Sequence, residues 1–109
     1  MNTASQAISR EDMAKMAENA GAAARLLKLM GNQNRLMILC TLLDGELSVG
    51  QLNDVIPLSQ SSLSQHLAEL RKASLVSTRR EAQTIYYRIQ GHHALEVIKV
   101  LKKLFCEDL

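Results

Sequence analysis

Apolar residues recur at helical spacing along most of this chain and alternate singly only between residues 76 and 89. The sharpest stripe is Leu63, Leu67 and Leu70, at i, i+4 and i+7 within SQSSLSQHLAELRK. That spacing predicts a helix over 59–72 with one buried edge. Ser59 stands where an N-cap belongs. Upstream, Ser48 and Gln51 match an S-x-x-Q capping box, and Leu47 with Leu52 has the spacing of a hydrophobic staple. A short helix therefore starts at Ser48 and stops before Pro57, which biases Ile56 away from helical geometry. Short helix, turn Ile56-Pro57-Leu58, longer helix is the order of a helix-turn-helix over 48–72.

The flanks extend this pattern. Ser9 with Asp12 resembles a capping box, and Ile8 with Met13 has staple spacing. A helix is predicted over 11–30, with Met13, Met16, Ala20, Ala24 and Leu27 along one side. Such small and flexible side chains suit close helix–helix contact. Gly31 ends that helix. A second helix follows over 32–43, with Leu36, Leu39, Cys40 and Leu43 inward, and Asp44-Gly45 stops it. Beyond residue 72, Val76, Thr78 and Arg80 alternate with Ser77 and Arg79. After Glu81-Ala82-Gln83, Ile85, Tyr87 and Ile89 alternate with Thr84, Tyr86 and Arg88. Period-2 alternation with β-branched and Tyr residues predicts two strands. They form a hairpin over 75–90 with an Arg-rich tip, which is a wing. A last helix over 93–106 carries Leu95, Ile98, Leu101 and Phe105. The expected fold is mainly α (α+β): a winged helix-turn-helix of five helices and a two-stranded wing. It is one domain over 1–109, with residues 1–8 flexible.

Composition narrows the class. A chain of 109 residues is long enough for one domain and too short for two. Apolar residues make up 47% and aromatic residues 3%, so Leu, Ile, Met and Ala must fill the core. No apolar run of about 18 residues occurs, which predicts no membrane span. The N-terminus lacks the pattern of a secretory signal, which points to a cytoplasmic protein. Net charge is only +2, but it is unevenly placed. Residues 1–58 sum to −1, residues 59–90 to +3 and residues 91–109 to zero. The positive charge sits in and just after the Ser/Gln helix, as a phosphate-binding footprint requires.

That helix carries unusual chemistry on its outer face. Gln60, Ser61, Ser62, Ser64 and Gln65 are short or amide-bearing side chains that let a backbone approach closely and bond base edges or phosphates. A solvated helix face more often carries Lys and Glu. The bland reading is a Ser-rich surface, equally weighted on this segment alone, and the basic surroundings favour DNA. His66 is a candidate for a phosphate or base. Arg79, Arg80, Gln83 and Thr84 on the wing are candidates for the minor groove or flanking phosphates. Arg71 and Lys72 read equally well as cations ending a helix against its dipole.

Taken together, the chain resembles the ArsR/SmtB family of bacterial winged-helix repressors over nearly its whole length. The matching segments are NRLMIL from Asn34, ELSVGQL from Glu46, SQSSLSQHLAELRKASLV from Ser59 and the wing RREAQTIYYRI from Arg79. The resemblance implies an obligate homodimer built from the first and last helices. It also implies a double-stranded operator of two inverted half-sites, and release of DNA when an inducer binds.

Metal-sensing members carry ligands that this chain lacks. Where the cysteine-type site reads ELCVCDL, this chain has Ser48 and Gly50 in place of thiolates, and neither binds a soft metal. His92 and His93 have no second His downstream, although Glu107 follows, so a tetrahedral site is incomplete. They read as polar residues at a helix start. No metal and no cofactor are expected.

Two cysteines remain, Cys40 and Cys106. Taken alone, each reads as a small buried hydrophobe. A subgroup of the family, the BigR/SqrR/HlyU type, senses persulfides or oxidants. It has one Cys in an ILC segment of the second helix and one in a [Y/F]C segment ending the last. Ile38-Leu39-Cys40 and Phe105-Cys106 match both. The resemblance therefore implies a sensing pair: a thiolate attacks persulfide, polysulfide or oxidant, and the second thiol resolves the product into a disulfide or polysulfide bridge. Lys102 and Lys103 favour the Cys106 thiolate, while the helix C-terminal dipole opposes it.

Other classes fit less well. A thiol oxidoreductase would need a C-x-x-C and a strand–helix alternation. No hydrolase constellation or Gly-rich phosphate loop stands out, so no enzyme is expected. A protein-binding winged helix conflicts with the Ser/Gln face and basic wing. Structural cysteines with another inducer, such as a metal, and an activator that displaces a silencer are the remaining alternatives.

Overall fold

The computed structural model describes residues 8–106. The flexible segment expected at the N-terminus falls outside them, except for Ile8, which is exposed. The first helix, α1 (Arg10–Met30), starts at Ser9, whose hydroxyl accepts from the Asp12 N–H at 3.1 Å. It ends at Gly31, whose φ of −79° is not left-handed. Space favours glycine there, because a Cβ would lie 3.0 Å from the Leu27 carbonyl oxygen.

Asn32 caps α2 (Gln33–Thr41), accepting from the Asn34 and Arg35 N–H groups. A 3-10 turn, Leu42–Asp44, completes what the pattern predicts as one helix. The inward edge differs from the expected one. Ile38, Leu39 and Leu42 are buried, while Leu36, Cys40 and Leu43 pack only partly against the core. Gly45 adopts φ +149°, a region that favours glycine, and turns the chain.

A two-residue strand β1 (Leu47–Ser48) then precedes α3 (Val49–Val55). The Ser48–Gln51 capping box is present in both directions, at 3.1 and 2.8 Å. The turn is fixed by the Asn53 side-chain amide, which donates to the Leu58 carbonyl at 2.8 Å. Ser59 caps α4 (Gln60–Lys72). Leu63, Leu67 and Leu70 on α4 are fully buried.

The exit from α4 is a Schellman motif. The Ser74 N–H donates to the Arg71 carbonyl and the Leu75 N–H to the Leu70 carbonyl, both at 2.9 Å. Ser74 adopts the left-handed φ of +63° that the motif requires.

Strands β2 (Val76–Glu81) and β3 (Thr84–Ile89) form the wing, in the register Arg79↔Tyr86 and Glu81↔Thr84. The sheet has three strands, not two. β1 adds to β3 through Leu47↔Tyr87 and Ser48↔Tyr86, giving the antiparallel order β1-β3-β2. Two residues are too few to show a period of two, so no sequence pattern marks β1. The last helix, α5 (His92–Phe105), returns Ala94 and Ile98 to the core. Phe105, predicted on its inward stripe, is instead 77% exposed.

The core lies where α2, α4 and α5 meet the base of the sheet. Most of α1 stands away from it, and the helix joins the core only at its end, through Leu26, Leu29 and Met30. Among its residues only Met30 is buried, and Met13, Met16 and Leu27 are each more than half exposed. The radius of gyration is 17.2 Å, against about 13 Å for a compact chain of this length.

Candidate nucleic-acid interface and thiol pair

The three buried leucines fix which side of α4 looks outward. Ser61 and Gln65, one turn apart, stand opposite them and are exposed, as are Gln60 and Ser64. The Ser62 side chain is half-buried, and its backbone N–H is spent on the Ser59 cap at 3.1 Å. His66 departs from this face. Its ring is half-buried and turned toward α2, where Nδ1 accepts from Arg35 Nε at 3.4 Å. Its helical position, beside the leucines, makes that direction the available one.

The four wing candidates separate in the same way. Arg79 is already engaged. Its Nη2 donates to Glu46 Oε1 at 2.6 Å, and its Nε to both carboxylate oxygens at 3.0 and 3.2 Å. Glu81 lies 3.4 Å from Nη1, and the guanidinium sits 4.6 Å from the Tyr86 ring centroid. The hydrogen bond from Arg79 holds the Glu46 carboxyl below the usual carboxylate range, and Glu46 in turn raises the guanidinium's affinity for its proton. Arg80 is exposed and makes no ion pair among the described residues. Gln83 and Thr84 are exposed at the tip. With Ser48, Gly50 and Ile85 they line a shallow cleft between the wing and the start of α3.

Arg35, Glu46 and Tyr86 complete these arrangements, and sequence reasoning gave them no role. Their partners lie 31 and 33 residues away for Arg35 and Glu46. No local spacing marks such pairs. The Arg79↔Tyr86 register across the hairpin is the one signal of this kind that a sequence carries.

Both cysteines are free, Cys40 half-buried on α2 and Cys106 exposed at the end of α5. Burial pushes the Cys40 thiol above its ordinary pKa; the Cys106 charge pushes the same way, and Lys102 pulls it down. Cys40 lies on α2 and Cys106 at the end of α5, and these two helices pack against each other. His92 and His93 lie at the far end of α5, with ring centroids 6.2 Å apart.

A helix-turn-helix braced by a three-stranded wing makes this a winged helix-turn-helix protein. Residues 32–78 match the family described as bacterial regulatory protein, arsR family. The chain is 49% identical over 96 residues to the transcriptional activator HlyU of Vibrio cholerae, spanning 88% of this chain and 89% of that protein. It is 41% identical over 99 residues to the biofilm growth-associated repressor of Xylella fastidiosa, spanning 91% and 84%. The solved structure of reduced HlyU from Vibrio cholerae matches with a TM-score of 0.82 at 50% identity, covering 85% of this chain and 98% of that one. The chain therefore belongs to the ArsR family and is a transcriptional regulator, a class that acts on DNA operators and is not enzymatic. No helix among the described residues is long and apolar enough to cross a membrane.

Proposed function

We propose that this regulator binds its operator sequence-specifically as a homodimer, and that Cys40 and Cys106 together switch its affinity for DNA. The exposed Ser/Gln face of α4, seated on three buried leucines, carries the DNA-binding half of this reading. Gln60, Ser61, Ser64 and Gln65 face the major groove, with Ser62 at its margin. Arg80, Gln83 and Thr84 meet the minor groove or the adjoining phosphates. His66 acts from behind, through its bond to Arg35.

The exposed apolar side chains of α1 support the homodimer. A helix with Met13, Met16 and Leu27 in water lacks the packing that sustains most helices. Pairing α1 and α5 with their copies supplies it and aligns two α4 helices on inverted half-sites. The spacing required is about 34–36 Å of duplex.

The thiol half rests on the two free cysteines, Cys40 on α2 and Cys106 at the end of α5, the helix that α2 packs against. Cys106 is the accessible nucleophile, because Cys40 is held as a thiol by burial. The Cys106 thiolate takes the outer sulfur of a persulfide R–S–SH and releases R–SH. Cys40, deprotonated, attacks the sulfur bonded to the Cys106 side chain, forming a disulfide and expelling hydrosulfide. The persulfide is the oxidant, reduced to thiol and sulfide. A second persulfide equivalent leaves an extra sulfur in the link, a polysulfide bridge. Either link ties α2 to α5 and shifts the helix through which the copies join.

The test is fluorescence anisotropy on the chain's own upstream DNA, before and after treatment with glutathione persulfide. Reduced protein should bind tightly and treated protein weakly, while the Cys40→Ser/Cys106→Ser variant stays bound throughout. Treatment that changes nothing in the native protein would return both cysteines to packing and leave the inducer to another class, such as a metal. The 49% identity to a protein named a transcriptional activator favours a second reading of the output, activation in place of repression.

A further inference from the structure

Arg79 crosses the whole face of the sheet. β3 is the middle strand, and Tyr86 on it is the register partner of both Ser48 on β1 and Arg79 on β2. The Arg79 side chain passes over the Tyr86 ring and ends on Glu46, the residue just before β1. One side chain thus straps the outer strand of the wing to the opposite edge of the sheet. The strap answers a real need. β1 contributes only two residues, so beyond it the wing is a two-stranded ribbon, and such ribbons are marginal alone.

Successive side chains on a strand leave opposite faces. Arg80, paired with Ile85, therefore projects away from the face that Arg79 covers. An exposed ion pair by itself holds little. Here the contact is bidentate, stacked on an aromatic ring and flanked by a second carboxylate, Glu81. A phosphate would have to displace all three contacts to recruit Arg79, and none to recruit Arg80.

We infer that Arg79 is a positioning residue that sets the wing against β1, and that Arg80 is the wing cation that neutralises phosphate. The inference rests on the DNA-binding reading and divides the two arginines within it.

Salt dependence of DNA binding tests it, because each neutralised phosphate contributes about 0.9 to the slope of log affinity on log salt. Arg80→Ala should lower the slope by about that amount. Arg79→Ala should weaken binding several-fold and leave the slope unchanged, and Glu46→Gln should weaken it without lowering the slope. The swapped pair Glu46→Arg/Arg79→Glu should recover most of the loss. Amide hydrogen exchange in β2 and β3 gives a readout without DNA. It should quicken in Arg79→Ala and Glu46→Gln and stay unchanged in Arg80→Ala. A slope lowered by Arg79→Ala, or wing exchange untouched by it, overturns the inference. Native protein that binds no DNA overturns the DNA-binding reading instead, and the exchange data then still decide the strap.

Discussion

Arg35 on α2 donates through Nε to Nδ1 of His66 on α4, at 3.4 Å across a half-buried contact. This is the one side-chain hydrogen bond among the described residues that joins α4 to the helix behind it. For Nδ1 to accept, the ring must be neutral, with its proton on Nε2. The contact ties α4 to α2 beside the leucine stripe, and we expect it to steady the aim of Ser61 and Gln65 that the buried leucines set.

A pair of substitutions separates this orienting role from direct contact with DNA. His66→Ala removes the acceptor, and His66→Asn offers an oxygen near the place of Nδ1. We expect His66→Ala to cost about 1 kcal/mol of folding stability, the net worth of one such bond. Operator affinity should fall several-fold. His66→Asn should keep most of both. Equal damage from the two substitutions in operator titrations would mean that the imidazole itself meets the DNA.

The two cysteines should differ in reactivity. Cys106 is open to solvent, while Cys40 is half-buried and holds its proton to higher pH than an ordinary thiol, through burial first and the Cys106 charge second. Iodoacetamide should therefore modify the Cys40→Ser variant quickly and the Cys106→Ser variant slowly near neutrality, read by mass spectrometry. Stability follows the same shift. A thiol whose folded pKa is raised contributes fully below its unfolded pKa, and that contribution is lost as pH climbs through the folded value. Urea midpoints should fall across that alkaline window in native protein and fall less in Cys40→Ala. A Cys40 that alkylates as fast as Cys106 would remove the assigned order of attack.

Much of this arrangement is legible in the chain because its signals are local. The capping box at Ser48, the cap at Ser59, the break at Pro57 and the leucines of α4 all act within one or two turns. The Ser/Gln face follows from them, since fixing the buried edge fixes its opposite. What escapes is set by distance or brevity. β1 is two residues long, and Glu46 and Arg79 meet across 33 positions. Phe105 misleads for a different reason. An apolar stripe looks the same whether it packs on its own core or on another copy, so periodicity placed Phe105 inward where this chain leaves it exposed. The split between Arg79 and Arg80 is hidden as well, because two adjacent arginines read as one basic patch until strand alternation assigns them to faces.

Sequence reading by α4 should concentrate at Gln65. It stands opposite the leucine stripe, one turn beyond Ser61, and its amide can pair with adenine through two hydrogen bonds. Such a pair discriminates its base by about 1–3 kcal/mol. Gln65→Ala should weaken operator binding by roughly tenfold or more on that basis, with binding to random duplex almost unchanged. Competition titrations with both DNAs give the ratio. Equal losses on the two would move Gln65 from base reading to general contact.

Ser74 offers a stabilising change outside both sites. The Schellman motif that ends α4 needs a left-handed residue, and Ser74 meets it at φ +63° without being glycine. A left-handed conformation costs an L-residue about 1–2 kcal/mol. Glycine avoids that cost but gives back part of the gain through the greater freedom of its unfolded chain, about 0.4–1 kcal/mol. The balance favours Ser74→Gly by roughly 0.5–1 kcal/mol. Ser74 is exposed, and only its backbone N–H is used, toward the Arg71 carbonyl. Its hydroxyl takes no part in the motif. We therefore expect Ser74→Gly to raise the melting temperature by a few degrees and to leave operator affinity unchanged. Thermal unfolding by circular dichroism reads the first and anisotropy the second. A lowered melting temperature would mean that the Ser74 hydroxyl, and not its backbone, holds the exit from α4.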